Sequence, residues 1–468
     1  MSHSLTHVTA RGARRGHRLH AAWVLPVLVL ATLATIGWLY VRGDLNPVLC
    51  DGPCGPEYVT APVDLVSADA ETDDPAPVGA APIDAAALAA AVRGPLASDE
   101  LGRRSGLVAL DARDGSLLVD AATGTYVPAS TTKVLTAFGT LAAWGPDARF
   151  TTSVVRDGDR LVLVGGGDPY LTERRTPGSA VERADLATLA ARTARRVGAG
   201  PVTLGYDVSL FDGPAASPAW EDTYVSGGVV APVSPLWIDR GRVGFGRSAD
   251  PALAAARAFA TWLRAKGVEV RGEPSVATRS GETVAEVRSA PLARIVEEFV
   301  ADSDNEVAEV LLRQAAIKAG EPASFTGGAA AVQQALTRAG IPTDGLVLND
   351  GSGLSRQNRI AARTLAETVV VAARTPRLGA ILGGLPVGGF SGTLDDRYDR
   401  LGDARGLVRA KTGTLTGVHS LAGIATLPGG RPVAFAVMVN GTQDVDPFVT
   451  QAAIDRVAAA MVGCACRG

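Results

Sequence analysis

A serine and a lysine three residues apart are the pair in this sequence best suited to covalent chemistry. They are Ser130 and Lys133, just after Pro128. On a helix this spacing puts both side chains on one face, about 5 Å apart. A lysine can take the serine proton if burial or a second cation lowers its pKa. Pro128 marks a helix start, where backbone N–H groups could stabilise an oxyanion. The pair therefore predicts a serine nucleophile activated by a lysine base.

The use of lysine strengthens this prediction. Only four of the 45 lysine and arginine residues are lysine, at positions 133, 266, 318 and 411. Arginine cannot act as a base, so a lysine at a catalytic position has a chemical reason to be there. A Ser-x-x-Lys match is expected by chance about once in a chain of this length. Ser130 and Lys133 form the only such pair in the sequence.

A second polar stretch, Ser303-Asp304-Asn305, links two predicted helices at 292–301 and 306–320. The Ser303 hydroxyl could relay a proton to a leaving amine, and the Asn305 amide could bind a substrate carbonyl. The alternative is that Ser303 and Asp304 only cap the following helix.

A third stretch, Lys411-Thr412-Gly413-Thr414, lies at the end of a predicted strand. Lys411 and the two threonine hydroxyls could bind a substrate carboxylate, and Gly413 permits close approach of an extended peptide. The N–H of Thr414 could complete an oxyanion hole with that of Ser130. Lys411 is also expected to lower the pKa of the neighbouring lysine base. The alternative role for Lys411 is a charge that protects an edge strand from aggregation.

These three motifs, in this order, are typical of penicillin-binding proteins and class A β-lactamases. Over residues 95–460 the sequence resembles the low-molecular-mass class C penicillin-binding proteins, which are D-alanyl-D-alanine carboxypeptidases and endopeptidases. Further stretches that fit this family are Leu163–Leu171, Tyr206–Phe211, Val233–Trp237, Asp350–Arg356 and Ser391–Leu394.

The resemblance implies an α+β fold of the penicilloyl-serine transferase type, in which an antiparallel sheet and a helical lobe enclose the site. It implies hydrolysis of the D-Ala-D-Ala bond of peptidoglycan stem peptides through an acyl-enzyme, inhibition by β-lactams, and no metal or cofactor. A β-lactamase or serine esterase of the same fold and a non-catalytic wall-binding scaffold remain alternatives. The balance of carboxypeptidase and endopeptidase action stays open.

Composition and residue pattern predict five parts of the chain. The predicted parts are a cytoplasmic tail at 1–20, a transmembrane anchor at 21–41, a flexible stalk at 42–84, a discontinuous catalytic domain at 85–150 and 290–468, and an inserted accessory region at 151–289. The inserted region is predicted to contain short strands and one helix, at 252–266.

The N-terminal segment predicts the location. Residues 21–41 carry no charge and could cross a hydrocarbon core of about 30 Å. Four arginines precede them, so the N-terminus should stay in the cytoplasm. A cleaved signal peptide is the alternative. We therefore expect a single-pass protein of the cell membrane with its catalytic domain outside the cytoplasm. The net charge of −3 gives no electrostatic reason to expect nucleic acid as a partner.

The four cysteines form two close pairs, Cys50 with Cys54 and Cys464 with Cys466. Outside the cytoplasm disulfides are expected, but the sequence leaves three pairings open. A zinc site is the alternative.

Two other polar residues are not assigned to catalysis. Ser352 lies in a Gly-Ser-Gly run that lacks the spacing of a nucleophile elbow, and we interpret its loop as a special conformation near the cleft, facing the substrate. His419 is interpreted as a partly buried strand residue, because a lysine already supplies the base.

Overall fold

A computed structural model describes residues 82–175, 183–198, 200–244 and 246–466. The predicted tail and anchor, almost all of the predicted stalk, and Cys50 and Cys54 lie outside these residues. Within the described ranges, none of the helices combines the length and the apolar character needed to cross a membrane.

The main helices and the strands of the two large sheets are numbered in chain order. The helices are α1 (Ala85–Leu96), α2 (Thr132–Trp144), α3 (Leu186–Val197), α4 (Pro251–Ala265), α5 (Leu292–Asp302), α6 (Asn305–Ala319), α7 (Phe325–Arg338), α8 (Ala362–Arg374) and α9 (Pro447–Val462). The strands are β1 (Arg104–Asp111), β2 (Leu117–Asp120), β3 (Thr151–Asp157), β4 (Arg160–Val164), β5 (Val202–Asp207), β6 (Val270–Val276), β7 (Glu282–Arg288), β8 (Val408–Leu415), β9 (Val418–Leu427) and β10 (Arg431–Asn440). Shorter helices lie at Thr223–Ser226 and Gly379–Gly383, and two-residue ladders join Arg242–Val243 to Gly246–Arg247 and Thr125–Tyr126 to Ile360–Ala361.

The first sheet is antiparallel and combines strands from both ends of the described chain. Its order is β8-β9-β10-β1-β2, so β1 lies between its hairpin partner and the last strand. Arg104 is opposite Asn440 and Asp111 is opposite Val433. The strand β8 forms one edge of the sheet. Together with the surrounding helices, this sheet confirms the predicted α+β class.

Each face of the first sheet is covered, because side chains on β1 alternate between two hydrophobic cores. Leu107 and Ala109 enter the core that contains α1 and α9. Val108 and Leu110 enter the larger core that contains α2, α5, α6 and α8. The larger core is the helical lobe that the resemblance predicted. The C-terminal end of β8 and the start of α2 meet at the border of this lobe.

The second sheet has the order β7-β3-β4-β5-β6 and packs against α3 and α4. All of its strands fall between residues 151 and 288, inside the range assigned to the inserted region, whose boundaries remain a prediction. The prediction of a single helix in this region was wrong, because α3 is a second one. Asp185 caps α3 through the N–H of Thr188, and Leu186 and Leu189 are among the residues it buries. The amphipathic signal for this helix was therefore present in the sequence.

The structure joins Cys464 to Cys466 just after α9. Both side chains are buried against the core that contains α1. The backbone carbonyl of Cys466 accepts hydrogen bonds from Asp84 N and from the guanidinium of Arg431, so this bridge lies where the two ends of the described chain meet.

Candidate active site

Ser130 lies in a single 3₁₀ turn, Ala129–Thr131, that leads directly into α2. Ala129 has a φ of 49°, an uncommon value for a residue with a side chain. Such conformations persist when surrounding contacts determine them, and they concentrate at functional sites. The predicted helix start is therefore correct, with an additional sharp turn that presents Ser130 at the border of the two lobes.

Lys133 is fully buried and has three acceptors for its three N–H donors. Its Nζ lies 2.9 Å from Ser130 Oγ, 2.8 Å from Asn305 Oδ1 and 2.8 Å from the carbonyl oxygen of Ser352. The structure thus brings together the predicted serine, the predicted lysine and the asparagine of the second motif. The Ser352 carbonyl was not predicted as part of this group.

Burial lowers the pKa of Lys133 to about 8. Four carboxylates act in the opposite direction and raise it, namely those of Glu309, Asp304, Asp350 and Glu306. Of the two causes that the sequence analysis named, burial and a second cation, burial is the leading one for Lys133. A cation effect does act on Lys411, whose own pKa lies well below its ordinary value because of burial first and the charge of Lys133 second.

The second motif occupies the turn between α5 and α6. Asn305 is the first residue of α6. Because a protonated lysine only donates hydrogen bonds, the side-chain amide of Asn305 must turn its oxygen towards Lys133. The two Nδ2 donors then remain for another acceptor. Ser303 is half-buried in this turn with a φ of 58°. Asp304 caps α6 by accepting from Val307 N at 3.1 Å, so the capping alternative holds for Asp304 and not for Ser303.

The third motif passes directly beside the nucleophile turn. A Cβ atom built on Gly413 would lie 2.6 Å from the carbonyl oxygen of Pro128 and 3.1 Å from Ser130 N, and it would collide with Ser420 Oγ. Only glycine fits this contact between β8 and the turn. The predicted need for a glycine here is explained by this packing, whereas the prediction had invoked the approach of a peptide.

The outer edge of β8 is only partly covered. Segment 386–388 pairs with this edge, accepting from Ala410 N and donating to the carbonyl of Val408. Because hydrogen-bonding direction alternates along a strand, Thr412 and Thr414 direct their N–H groups to the same edge further on. The Thr414 N–H therefore points to the side from which an extended peptide could add to the sheet.

Lys411 is fully buried, and its Nζ donates to the carbonyl of Thr412 at 2.9 Å. The hydroxyl of Thr412 lies 2.9 Å from that of Thr393, and Thr414 is exposed. Thr393 was not predicted as a site residue, although it falls in the stretch Ser391–Leu394 that fits the family. Its hydroxyl extends the polar group formed by the third motif.

A buried polar network fixes the loop that supplies the Ser352 carbonyl. The two oxygens of Glu309 accept from Gly351 N and Ser352 N, each at 2.8 Å. Asp350 accepts from Trp220 Nε1 and from Ser355 N. The Ser352 side chain is fully buried, and it is the backbone of this loop that contacts the lysine.

Glu309 is a supporting residue that sequence reasoning missed. It is fully buried on α6, and its pKa is raised, first by burial and then by the charge of Asp350. A glutamate on a helix is normally a solvent-exposed residue. Because its partners are backbone N–H groups more than 40 positions further on, the sequence contains no local signal for this role.

His419 is buried on β9, opposite Thr414. Its pKa is lowered by burial and by the charge of Arg397, so the neutral form is favoured. The prediction that it is a strand residue is confirmed.

Comparison with known proteins agrees with this geometry. A model of the D-Ala-D-Ala carboxypeptidase 3 (S13) family matches residues 88–246 and 244–461. Carboxypeptidase DacB of Mycolicibacterium smegmatis is 38% identical over 472 residues, which cover 97% of this chain and 99% of that protein. The D-alanyl-D-alanine carboxypeptidase of an Actinomadura species is 30% identical over 436 residues, covering 75% of this chain and 80% of that protein.

The fold is also shared with a solved structure. Penicillin-binding protein 4 (dacB) from Haemophilus influenzae superposes with a TM-score of 0.65 at 23% identity, covering 81% of this chain and 98% of that chain. This likeness confirms the penicilloyl-serine transferase fold. From the family match and the curated relatives, the chain belongs to the D-Ala-D-Ala carboxypeptidase 3 (S13) family of serine peptidases, the low-molecular-mass class C penicillin-binding proteins that its motifs resemble.

Proposed function

We propose that this chain hydrolyses the D-Ala-D-Ala bond of peptidoglycan stem peptides, with Ser130 as the nucleophile and Lys133 as its base. The observation that carries this proposal is the contact of 2.9 Å between Lys133 Nζ and Ser130 Oγ. Burial of the lysine supports it, because a pKa of about 8 leaves about a tenth of the amine neutral at pH 7. A neutral amine can accept the serine proton.

In the first step, Ser130 Oγ attacks the carbonyl carbon between the two D-alanines while its proton passes to Lys133. The carbonyl oxygen becomes an oxyanion, which the N–H groups of Ser130 and Thr414 would stabilise. The Nδ2 group of Asn305 would bind the carbonyl of the acyl part of the substrate. Preorganised donors of this kind stabilise charge that develops in the transition state, which is where binding accelerates the reaction.

In the second step, the C–N bond breaks and D-alanine leaves. The leaving amine must receive a proton, which Ser303 would relay from the lysine. The terminal carboxylate of the substrate would bind Lys411, Thr412 and Thr414. Water then hydrolyses the ester on Ser130, and the free enzyme is restored. In a β-lactam the cleaved amide is part of a ring, so the leaving group stays attached and the acyl-enzyme is expected to persist.

We also propose a location for the enzyme, at the cell envelope. We propose that residues 21–41 anchor the chain in the cell membrane and that residues 42–84 separate the catalytic domain from it. The uncharged run of 21 residues and the arginines before it support this part of the proposal. Its substrate, the cell-wall peptide, lies outside the cytoplasm.

The experiment is to incubate residues 82–468 with a fluorescent penicillin and to follow both labelling and loss of label. We expect a stable adduct with one label per chain that is absent in Ser130→Ala, and release of D-alanine from a stem pentapeptide. Labelling of Ser130→Ala would refute the nucleophile assignment. Rapid turnover of the penicillin would indicate a β-lactamase, and a folded protein with no adduct would indicate a scaffold.

A further inference from the structure

Two arginines from the inserted region contact the turn that carries Asn305. Arg240 donates to Asp304 Oδ2 at 2.5 Å, and Arg247 donates to Glu306 Oε1 at 2.5 Å. Asp304 and Glu306 are the residues immediately before and after Asn305. Both are buried, with exposed fractions of 7% and 2%. Each neighbour of Asn305 therefore has a cationic partner from a distant part of the chain.

These ion pairs are part of the structure of the turn. Asp304 uses one carboxylate oxygen to cap α6 and the other to bind Arg240. The preceding Ser303 has a φ of 58°, and Arg240 has a φ of 61°. Residues with side chains adopt this conformation only where surrounding contacts determine it. A carboxylate in a buried pair that loses its cation is left uncompensated, so the turn would have to rearrange.

The position of the turn matters because Asn305 Oδ1 lies 2.8 Å from Lys133 Nζ. We infer that Arg240 and Arg247 are positioning residues for the reaction at Ser130, because they keep Asn305 in place against the lysine base. This inference rests on the roles proposed above for Ser130 and Lys133. The inserted region would then contribute to the chemistry of the catalytic domain in addition to any contact with the substrate.

The charges around Lys133 give the inference a specific signature. The carboxylates that face it are Asp304, Glu306 and Glu309 at α6 and Asp350 on the adjacent loop, and Lys411 faces it from β8. Burial lowers the pKa of Lys133, whereas these carboxylates raise it. Arg240 compensates the charge of Asp304. Removing Arg240 alone should therefore raise the pKa of Lys133. The acid limb of the profile of acylation rate against pH should then move to higher pH.

The test uses the rate constant for acylation by a fluorescent penicillin, measured from pH 6 to pH 10. We expect Arg240→Gln to lower this rate constant at pH 7 by about 10- to 100-fold, since small misplacements of catalytic groups have effects of this size. Its acid limb should lie at higher pH than that of the wild type. In the double variant Arg240→Gln/Asp304→Asn no carboxylate is left unpaired, and asparagine also caps helices. The acid limb of the double variant should return to its wild-type position.

The matched control is Arg257→Gln, which removes an arginine from the same inserted region. Arg257 pairs with Glu273, and both side chains are mostly exposed. The acylation rate constant and the pH profile of Arg257→Gln should equal those of the wild type. If Arg240→Gln does not fold, as judged by thermal unfolding, Arg247→Gln takes its place with the same expectations.

The outcomes distinguish a failure of the proposed function from a failure of the role inferred for the two arginines. If the wild type is not labelled, the proposed function fails. If the wild type is labelled, and the arginine variants keep its rate constant and acid limb, the inference is overturned. A lower labelled fraction with an unchanged rate constant and pH profile in the remaining folded protein would also overturn it, because that is the result of a purely structural role.

Discussion

The contact between Gly413 and the nucleophile turn predicts that Gly413→Ala damages the enzyme although the change is only one methyl group. The backbone of Gly413 is compatible with alanine, since its φ is not in the left-handed region. The damage should instead come from space. The new Cβ would lie 2.6 Å from the carbonyl oxygen of Pro128, which belongs to the backbone and cannot rotate away.

The structure gives the size of the disturbance. An ordinary contact begins at 3.4 Å, so β8 and the turn must separate by about 0.8 Å to relieve a contact of 2.6 Å. Displacements near 1 Å at a reacting group reduce rates by about 100-fold. We therefore expect the acylation rate constant to fall by about 10- to 100-fold. Overpacking of this kind should also lower the free energy of unfolding by about 1–3 kcal/mol.

The assay is acylation by a fluorescent penicillin, combined with urea denaturation of the same samples. Gly379→Ala is the control, because a Cβ at Gly379 meets no atom within 4 Å. The double variant Gly413→Ala/Ser420→Ala removes the collision with the Ser420 hydroxyl and leaves the contact with Pro128. It should recover only part of the lost rate.

Two results would refute this reasoning. The first is a Gly413→Ala variant that is acylated as fast as the Gly379→Ala control, which would mean that β8 and the turn separate without consequence. The second is full recovery in the double variant, which would mean that the Ser420 side chain and not the backbone contact limits the site.

Two further predictions concern the lysine base. Because Lys133 accepts a proton only when neutral, and burial lowers its pKa to about 8, acylation should rise about 50-fold from pH 6 to pH 8 and then level off. A stopped-flow pH profile checks this, and a flat profile between pH 6 and 8 would contradict the base assignment. Glu309→Gln should lower the free energy of unfolding by about 1–3 kcal/mol and slow acylation, because one of its two backbone N–H partners would face an amide donor. Urea denaturation and labelling rates test this, and wild-type values for both would show that the loop keeps its position without the carboxylate.

The local parts of the site could be predicted because their signals are local. Ser130 and Lys133 meet through helix spacing alone, and a strand leading into Lys411 was predicted from the sequence, although β8 continues past Lys411 to Leu415. Asn305 could be assigned to the site because it lies in the short link between two predicted helices and its amide can bind a carbonyl. These predictions needed only the periodicity of single elements and the resemblance of three short motifs.

The rest depended on contacts that join distant segments. The Ser352 carbonyl contacts Lys133 across 219 positions, and a backbone oxygen has no signature in the sequence. Glu309 looks like an ordinary surface residue until its helix is packed. The cause of the low pKa of Lys133 also required the fold, because desolvation depends on how much protein surrounds the amine, which a sequence does not show.

The strand order of the first sheet has a consequence for how the enzyme becomes active. The strand β1 pairs with β10, so residues near 104 must find residues near 440 before the sheet is complete. Pairings of such long sequence separation form late and slowly in folding. The edge strand that brings Gly413 to the nucleophile turn is anchored to β10 through β9. A chain that is still being synthesised therefore cannot assemble a reactive serine until its last strand is available, and the activity is switched on by completion of folding.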